Sequence, residues 1–111
     1  MILDTINKSI EIKLAVPKTT NHLEWTFDAV ELDAAFKLVA IIANVGVTND
    51  TTAVVVCAAP VVNRYRDPKR LTVYNADTVS ADVIVQEKVS GVVYRVWKET
   101  LLPGKSLHYV S

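Results

Sequence analysis

The sequence predicts an all-β protein, an antiparallel β-sandwich or jelly roll of seven to eight short strands. Apolar and polar residues alternate with period two in several segments, which is typical of strands with one buried face. These segments are rich in valine and isoleucine, and polar turn sequences separate them about every ten residues. Short strands at this spacing are typical of folds that pack two sheets together.

The first two segments show the alternation most clearly. Residues 9–16, SIEIKLAV, set isoleucine, leucine and valine against glutamate, lysine and alanine, and residues 22–28, HLEWTFD, repeat the arrangement. Each is predicted to be a half-buried strand. The linker PKTTN, residues 17–21, begins with a proline that ends the first strand, and it is short enough for a hairpin loop. Residues 1–8 are a candidate extended arm.

Residues 29–44 fit two structures. Asp28 followed by Glu31 resembles the capping box of a helix, and the apolar residues that follow recur at helical spacing. The sequence FKLVAIIA fits a buried strand equally well, because periodicity cannot separate the two in so short an apolar run. The favoured interpretation is one short helix near residues 29–36 that runs into a strand at about residues 37–44.

The rest of the chain is predicted to be a series of strands separated by polar turns. Residues 48–52 are expected to form a hairpin, and the AVVVC that follows has no polar face, which indicates a central strand or one covered by a neighbouring chain. Residues 75–78, NADT, are expected to reverse the chain between two paired strands, because asparagine and aspartate tolerate left-handed backbone angles. The remaining strands are RLTVYN, ADVIVQEK, VVYRVWKETL and SLHYV, with turns at SG near residue 90 and at LPGK.

Size and charge limit the classes of function. The 111 residues fit one domain, residues 1–111, because a core of this size is near the minimum for independent stability. The 12 basic and 12 acidic side chains balance, so no overall field would attract nucleic acid or an anionic membrane. No signal peptide and no apolar run long enough to span a membrane is expected, which predicts a soluble product made in a cytoplasm.

Few residues have the chemistry of a catalytic or metal site. Cys57 is the single cysteine and lies in an apolar run, which favours a buried structural thiol over a nucleophile. His22 and His108 have no second histidine or cysteine at ligand spacing and are expected at the surface. The carboxylates of residues 24–33 are expected on a solvated edge or helix start. No nucleotide-binding or hydrolase motif is present, so the sequence predicts a non-enzyme without metal or cofactor.

A basic and aromatic segment, NRYRDPKR, is the first candidate contact site. Cations around an aromatic ring can hold phosphate and stack a base. The neutral chain and the aspartate within the segment favour a solvated loop, or an arginine contact to acidic groups of a partner protein. The candidate residues are Arg64, Tyr65, Arg66, Lys69 and Arg70.

Two aromatic residues fall on the polar side of their predicted strands. Trp97 falls with Arg95 and Glu99, and Tyr74 falls with Thr72. Large aromatic residues among polar neighbours are often interface anchors. The alternatives are that both sheet faces are covered within the domain, or that a β-bulge shifts the register by one residue. Trp97 and Tyr74, together with the basic segment, make up the predicted partner interface.

Several short motifs occur together between residues 48 and 110. An apolar strand ends in Ala-Ala-Pro, another ends in Tyr-Asn-x-Asp-Thr, a valine-rich strand follows, and Lys-x-Thr-Leu-x-Pro-Gly precedes a final strand. With these motifs, the segment resembles a group of small tailed-bacteriophage virion proteins. The residues that carry the resemblance are Ala58, Ala59, Pro60, Tyr74, Asn75, Asp77, Thr78, Val83, Val85, Lys98, Thr100, Leu101, Pro103, Gly104, Leu107 and Tyr109.

The resemblance implies a β-sandwich subunit of a phage particle, a decoration or cement protein on the capsid exterior that is often trimeric. The partners it implies are further copies of the chain, with a trimer favoured, and the major capsid protein or another virion protein. The implied location is the virion, assembled in the host cytoplasm. A tail, neck or baseplate component is the alternative within the virion. A carbohydrate-binding sandwich, with Trp25 or Trp97 stacked on sugar rings, is the alternative from another class.

Overall fold

The computed structural model describes residues 2–110 and confirms the predicted all-β sandwich. Two four-stranded antiparallel sheets pack together, and no helix occurs between residues 2 and 110. The eight strands are β1 (Lys8–Leu14), β2 (Glu24–Asp33), β3 (Leu38–Val47), β4 (Val54–Cys57), β5 (Arg64–Tyr74), β6 (Ala81–Val89), β7 (Val92–Leu101) and β8 (Ser106–Val110).

The order of the strands differs strongly from their order in the chain. One sheet, called here the β1 sheet, has the order β4-β1-β6-β7, and the other, the β2 sheet, has the order β3-β2-β5-β8. Only β2 with β3 and β6 with β7 are neighbours both in the chain and in a sheet. These two connections are hairpins, and the others cross from one sheet to the other. The turn at Ser90 and Gly91 has positive φ angles at both residues, as a tight hairpin requires.

Three predictions about connections are wrong for this reason. Residues 17–21 and 48–52 do not close hairpins, and the strands on either side of residues 75–78 are not paired. A short polar connection suits either a hairpin or a crossing, so turn chemistry alone cannot separate them. In the crossing after β3, the Thr48 hydroxyl accepts a hydrogen bond from the N–H of Leu23 at 3.0 Å, and the N–H of Thr48 donates to the carbonyl of Leu23.

The prediction of a short helix near residues 29–36 is also wrong. β2 continues as a strand to Asp33, and a turn with Phe36 at a φ of 61° leads into β3. Asp28 and Glu31, which resembled a capping box, instead face arginines on the neighbouring strand β5. The strand predicted to follow is present as β3.

The hydrophobic core lies between the two sheets and is built from alternate residues of the strands. Fully burying one large apolar side chain stabilises the fold by about 1.5 to 3 kcal/mol. Cys57 is buried as predicted, and this burial raises the pKa of its thiol. The buried cluster comprises Leu3, Ile10, Ile12, Leu14, Leu23, Trp25, Phe27, Ala29, Val56, Cys57, Leu71, Val73, Ala81, Val83, Val85, Leu101 and Leu107.

The AVVVC run forms β4, which is an edge strand because it pairs only with β1. The alternative of a central strand is therefore wrong. Val56 and Cys57 are buried, whereas Val55 is exposed. That a neighbouring chain covers β4 stays a prediction.

Part of the segment before β1 is fixed to the sandwich. Leu3 is fully buried and exchanges two backbone hydrogen bonds with Arg66 of β5, at 2.8 and 2.9 Å. Met1, which belongs to the candidate arm, lies outside the described residues. Leu3 thus joins the hydrophobic core beside β5 of the β2 sheet.

Candidate interaction surface

The basic segment is not the predicted loop but the first half of the central strand β5. Antiparallel pairing sets it beside the acidic strand β2, so opposite charges meet across the ladder. The pairs are Arg66 Nε with Glu31 Oε1 at 3.1 Å, Arg70 with Asp28, and Lys69 with Asp67 at 2.8 Å within β5. These three cations are paired within the fold, and so are the carboxylates of Asp28 and Glu31.

The first two residues of β5 lie beside the turn between β2 and β3. Arg64 is opposite Asp33 in the register, and Tyr65 is opposite Leu32. The ring of Tyr65 stacks on Phe36 with centroids 4.9 Å apart and planes 12° apart. The stack leaves Phe36 62 % exposed, which adds an aromatic residue to this end of the sheet.

A β-bulge in β7 turns Trp97 toward the core. Trp97 is opposite Val85, whereas the next residue of β6 is opposite Arg95, so Val96 is the extra residue. Trp97 packs against the core and lines an apolar cavity of about 50 Å³ between the sheets. The predicted place of Trp97 on the polar face is wrong, and the bulge that the sequence left open is the cause. The cavity is far smaller than a typical small-molecule site of roughly 300 to 1,000 Å³.

Tyr74 lies on the outer face of the β2 sheet, as the alternation predicted. Tyr74 is 41 % exposed, whereas Leu71 and Val73 of the same strand are buried. It is opposite Glu24 on one side and Ser106 on the other. Among the three aromatic residues of the predicted interface, Tyr74 is exposed, whereas Tyr65 and Trp97 are partly buried.

No group of three or more histidine, cysteine, aspartate or glutamate side chains is placed to hold a metal ion among residues 2–110. Nδ1 of His108 lies 3.4 Å from the hydroxyl of Thr72 on the outer face of the β2 sheet. Nδ1 of His22 is buried and has no hydrogen-bond partner within residues 2–110. In the same part of the chain, no helix is long and apolar enough to cross a membrane.

Asp77 joins two connections at one end of the sandwich, which the sequence analysis missed. Its carboxylate accepts hydrogen bonds from the backbone N–H groups of Thr19, Thr20, Asn21 and Thr78, at 2.8 to 3.1 Å. These bonds, that of Thr19 foremost, hold the pKa of Asp77 well below its ordinary value, against the opposing effect of burial. The sequence signal was an aspartate in one turn and a Thr-Thr-Asn run in another, but nothing in the sequence links the two.

Asn75 joins a third connection to the same end. Its Nδ2 donates to the carbonyls of Val79 and Leu101, both at 2.9 Å, and its Oδ1 accepts from the N–H of Asp77. Its carbonyl accepts from the N–H of Gly104. Five of the residues that carry the resemblance thus meet at this end, where they hold turns together: Asn75, Asp77, Thr78, Leu101 and Gly104.

An exposed apolar surface lies on β3, which the sequence predicted as a strand but as a buried one. β3 has the sequence LVAIIANVGV, contains no charged residue, and is an edge strand paired only with β2. Ile41 is 75 % exposed and Val45 77 %. The β3 surface is defined here as the exposed side chains of Phe36, Leu38, Val39, Ile41, Val45 and Val47.

The β3 surface is large for a protein of this size. At about 150 to 200 Å² for a fully exposed large apolar residue, its exposed fractions amount to roughly 600 Å². The largest apolar patch of a typical soluble monomer is about 300 to 600 Å² and is often functional, so the β3 surface lies at the upper end of this range. A smaller apolar group, Val92, Val93, Tyr94 and Val96, is exposed on β7 at the opposite edge of the other sheet.

The chain matched no protein-family model, no curated protein and no solved structure.

Proposed function

We propose that this protein is a non-enzymatic structural subunit of a bacteriophage virion and that it assembles through the β3 surface. The observation that carries the assembly role is a ten-residue edge strand without charge whose apolar side chains face water. Removing apolar surface from water stabilises an assembly by about 25 cal/mol per Å² before the costs of association. Pairing the edge would also satisfy backbone N–H and C=O groups that otherwise bond only to water.

Within the virion, we propose a capsid decoration or cement protein on the head shell. The support is the resemblance of residues 48–110, whose motifs the fold uses in its turns and strands. A subunit that binds the assembled shell stabilises that shell by mass action. The proposed partners are copies of itself and the major capsid protein or another virion protein. A trimer is supported by the resemblance alone.

The carbohydrate-binding alternative depended on exposed tryptophan rings. Trp25 is buried beneath Gly46, and Trp97 packs against the core. Sugar rings stack on aromatic faces that reach the surface. Trp25 offers no such face, and the ring of Trp97 is partly buried against the core.

Binding to cognate particles tests the proposed function. Purified protein is incubated with phage heads that lack it, and head-bound protein is separated by sedimentation and located by cryo-electron microscopy. The expected result is saturable binding on the head exterior and a higher temperature of head disruption. Binding at the neck or tail instead would keep the virion role and overturn the decoration role. No binding to any part of the particle would overturn both.

A further inference from the structure

We infer that β3 pairs antiparallel with β3 of a second copy and joins the two β2 sheets into one eight-stranded sheet. This inference rests on the proposed role as an assembling subunit and names the contact that assembles it. The occupant of the β3 edge is thus a copy of the same strand.

Three of the four sheet edges carry features that hinder pairing. β4 has four residues and β8 has five, and short edge strands offer few free backbone groups. β7 has ten residues, but the bulge at Val96 interrupts its ladder and Arg95, Lys98 and Glu99 place charges along it. β3 is equally long and has neither charge nor proline.

The regular part of β3 is long enough to form a ladder of its own. Its pairing with β2 shifts at Val39 and is regular from Ala40 to Val47. Half of the residues in such a run direct their N–H and C=O groups toward the free edge. A second strand would receive these bonds along more residues than β4 or β8 contains.

A two-fold axis at Ala43 gives the pair a self-complementary register. Ala43 then faces Ala43 of the second copy, and Ile41 faces Val45, all on the outer face of the sheet. Apolar β-branched residues that face one another across strands stabilise a sheet. No like charges meet, because β3 has none. Shifting the pairing by one residue would set outer-face residues against inner-face residues and is excluded. An axis at Ile42 or Asn44 would keep the faces matched, and the cysteine test below separates these registers from the one centred on Ala43.

The contact joins two strand edges and is therefore small. A standard protein interface takes about 800 Å² from each partner. The β3 surface exposes roughly 600 Å² of apolar side chain, of which edge pairing covers only the flanks that face the new strand, together with the backbone edge. Because both copies use the same strand, the contact closes at two copies. The expected particle therefore contains two chains of 12.2 kDa, in place of the trimer that the resemblance implies.

A cysteine at the axis tests the register. Ala43→Cys should form an intermolecular disulfide on mild oxidation, because residues that face one another across strands lie within disulfide range. Val45→Cys is the matched control, since two copies of position 45 would lie about 13 Å apart along the strands. Native Cys57 is buried, and oxidation of the wild-type chain measures how much cross-linking arises from this cysteine alone. Equal cross-linking of the two variants, or none at Ala43→Cys, would overturn the register.

The mass in solution tests the contact itself. Sedimentation equilibrium up to about 1 mM, which detects even weak association, should give two chains for wild type and one for Val45→Lys. Val62→Lys is the matched control, because this valine is 72 % exposed and lies outside β3. Its dimer should persist, and thermal unfolding should show both lysine variants folded.

The alternative outcomes separate the two proposals. A trimer, or a dimer that survives Val45→Lys, overturns β3 pairing and leaves the structural role standing. A monomer that binds phage heads also overturns β3 pairing and leaves the structural role standing. A monomer that binds no particle overturns both.

Discussion

Replacing Asn75 by alanine should destabilise the fold strongly, although the residue lies in a turn. Its side chain is fully buried and makes three hydrogen bonds to backbone groups. The substitution leaves the carbonyls of Val79 and Leu101 and the N–H of Asp77 without this partner. A buried polar group left unsatisfied costs about 1 to 3 kcal/mol. At about 1 kcal/mol each, the expected loss is about 3 kcal/mol, a large part of the roughly 5 to 15 kcal/mol of a typical domain.

Equilibrium unfolding in urea measures this loss. With an m-value of about 1.3 kcal/mol per M, the midpoint of Asn75→Ala should fall by about 2 M at unchanged slope. Asn21→Ala is the control, since its side chain makes one hydrogen bond at the surface, to the carbonyl of Ala76. Water can replace that bond, so the expected loss is under about 1 kcal/mol. Similar losses for the two asparagines would contradict the reasoning.

Three further predictions concern buried groups. Gly46→Ala should cost about 2 kcal/mol in urea unfolding, because its Cβ would lie 2.7 Å from Cζ2 of Trp25; an unchanged midpoint would contradict the close approach. The pKa of Asp77 is lower when folded than its ordinary value of 3.8, so its charge stabilises the fold above that pH and this stability is lost as pH falls through the folded pKa. Asp77→Asn should therefore lower the melting temperature at pH 7 and lower it less at pH 2, and an equal loss at both would refute the assignment. Trp97→Ala should cost about 3 kcal/mol because the ring packs on the core, whereas Tyr74→Ala should cost under about 1 kcal/mol; the reverse order in urea unfolding would restore Trp97 as a surface residue.

The strands were predictable where one face is buried and the other polar. Residues Ile10, Ile12 and Leu14 alternate with polar neighbours, and β1 follows from this pattern alone. The strand that continues after Asp28 was not predictable, because the acidic residues of this segment resemble the start of a helix. No sequence rule shows that arginines 35 to 42 residues later will pair with these acidic residues. The partners that decide between helix and strand are distant in the chain.

The predictions of three connections and of the face on which Trp97 lies were wrong for a related reason. Asn75 and Asp77 are typical turn residues, but their side chains bond to other connections, so the chain crosses between sheets at that point. Trp97 was assigned to the wrong face because a one-residue bulge reverses every side chain beyond it. The exposure of β3 could not be predicted from its composition, because an apolar composition does not distinguish a strand at the edge of a sheet from one at its centre.

Amide hydrogen exchange as a function of protein concentration tests most directly whether a second copy covers β3. The β3 peptides, residues 38–47, should exchange more slowly as the concentration rises through the dissociation constant, because new interchain hydrogen bonds protect their N–H groups. The β7 peptides, residues 92–101, should exchange at the same rate throughout. Exchange in β3 that does not depend on concentration, or protection that appears in β7 instead, would contradict the claim that β3 is the assembling edge.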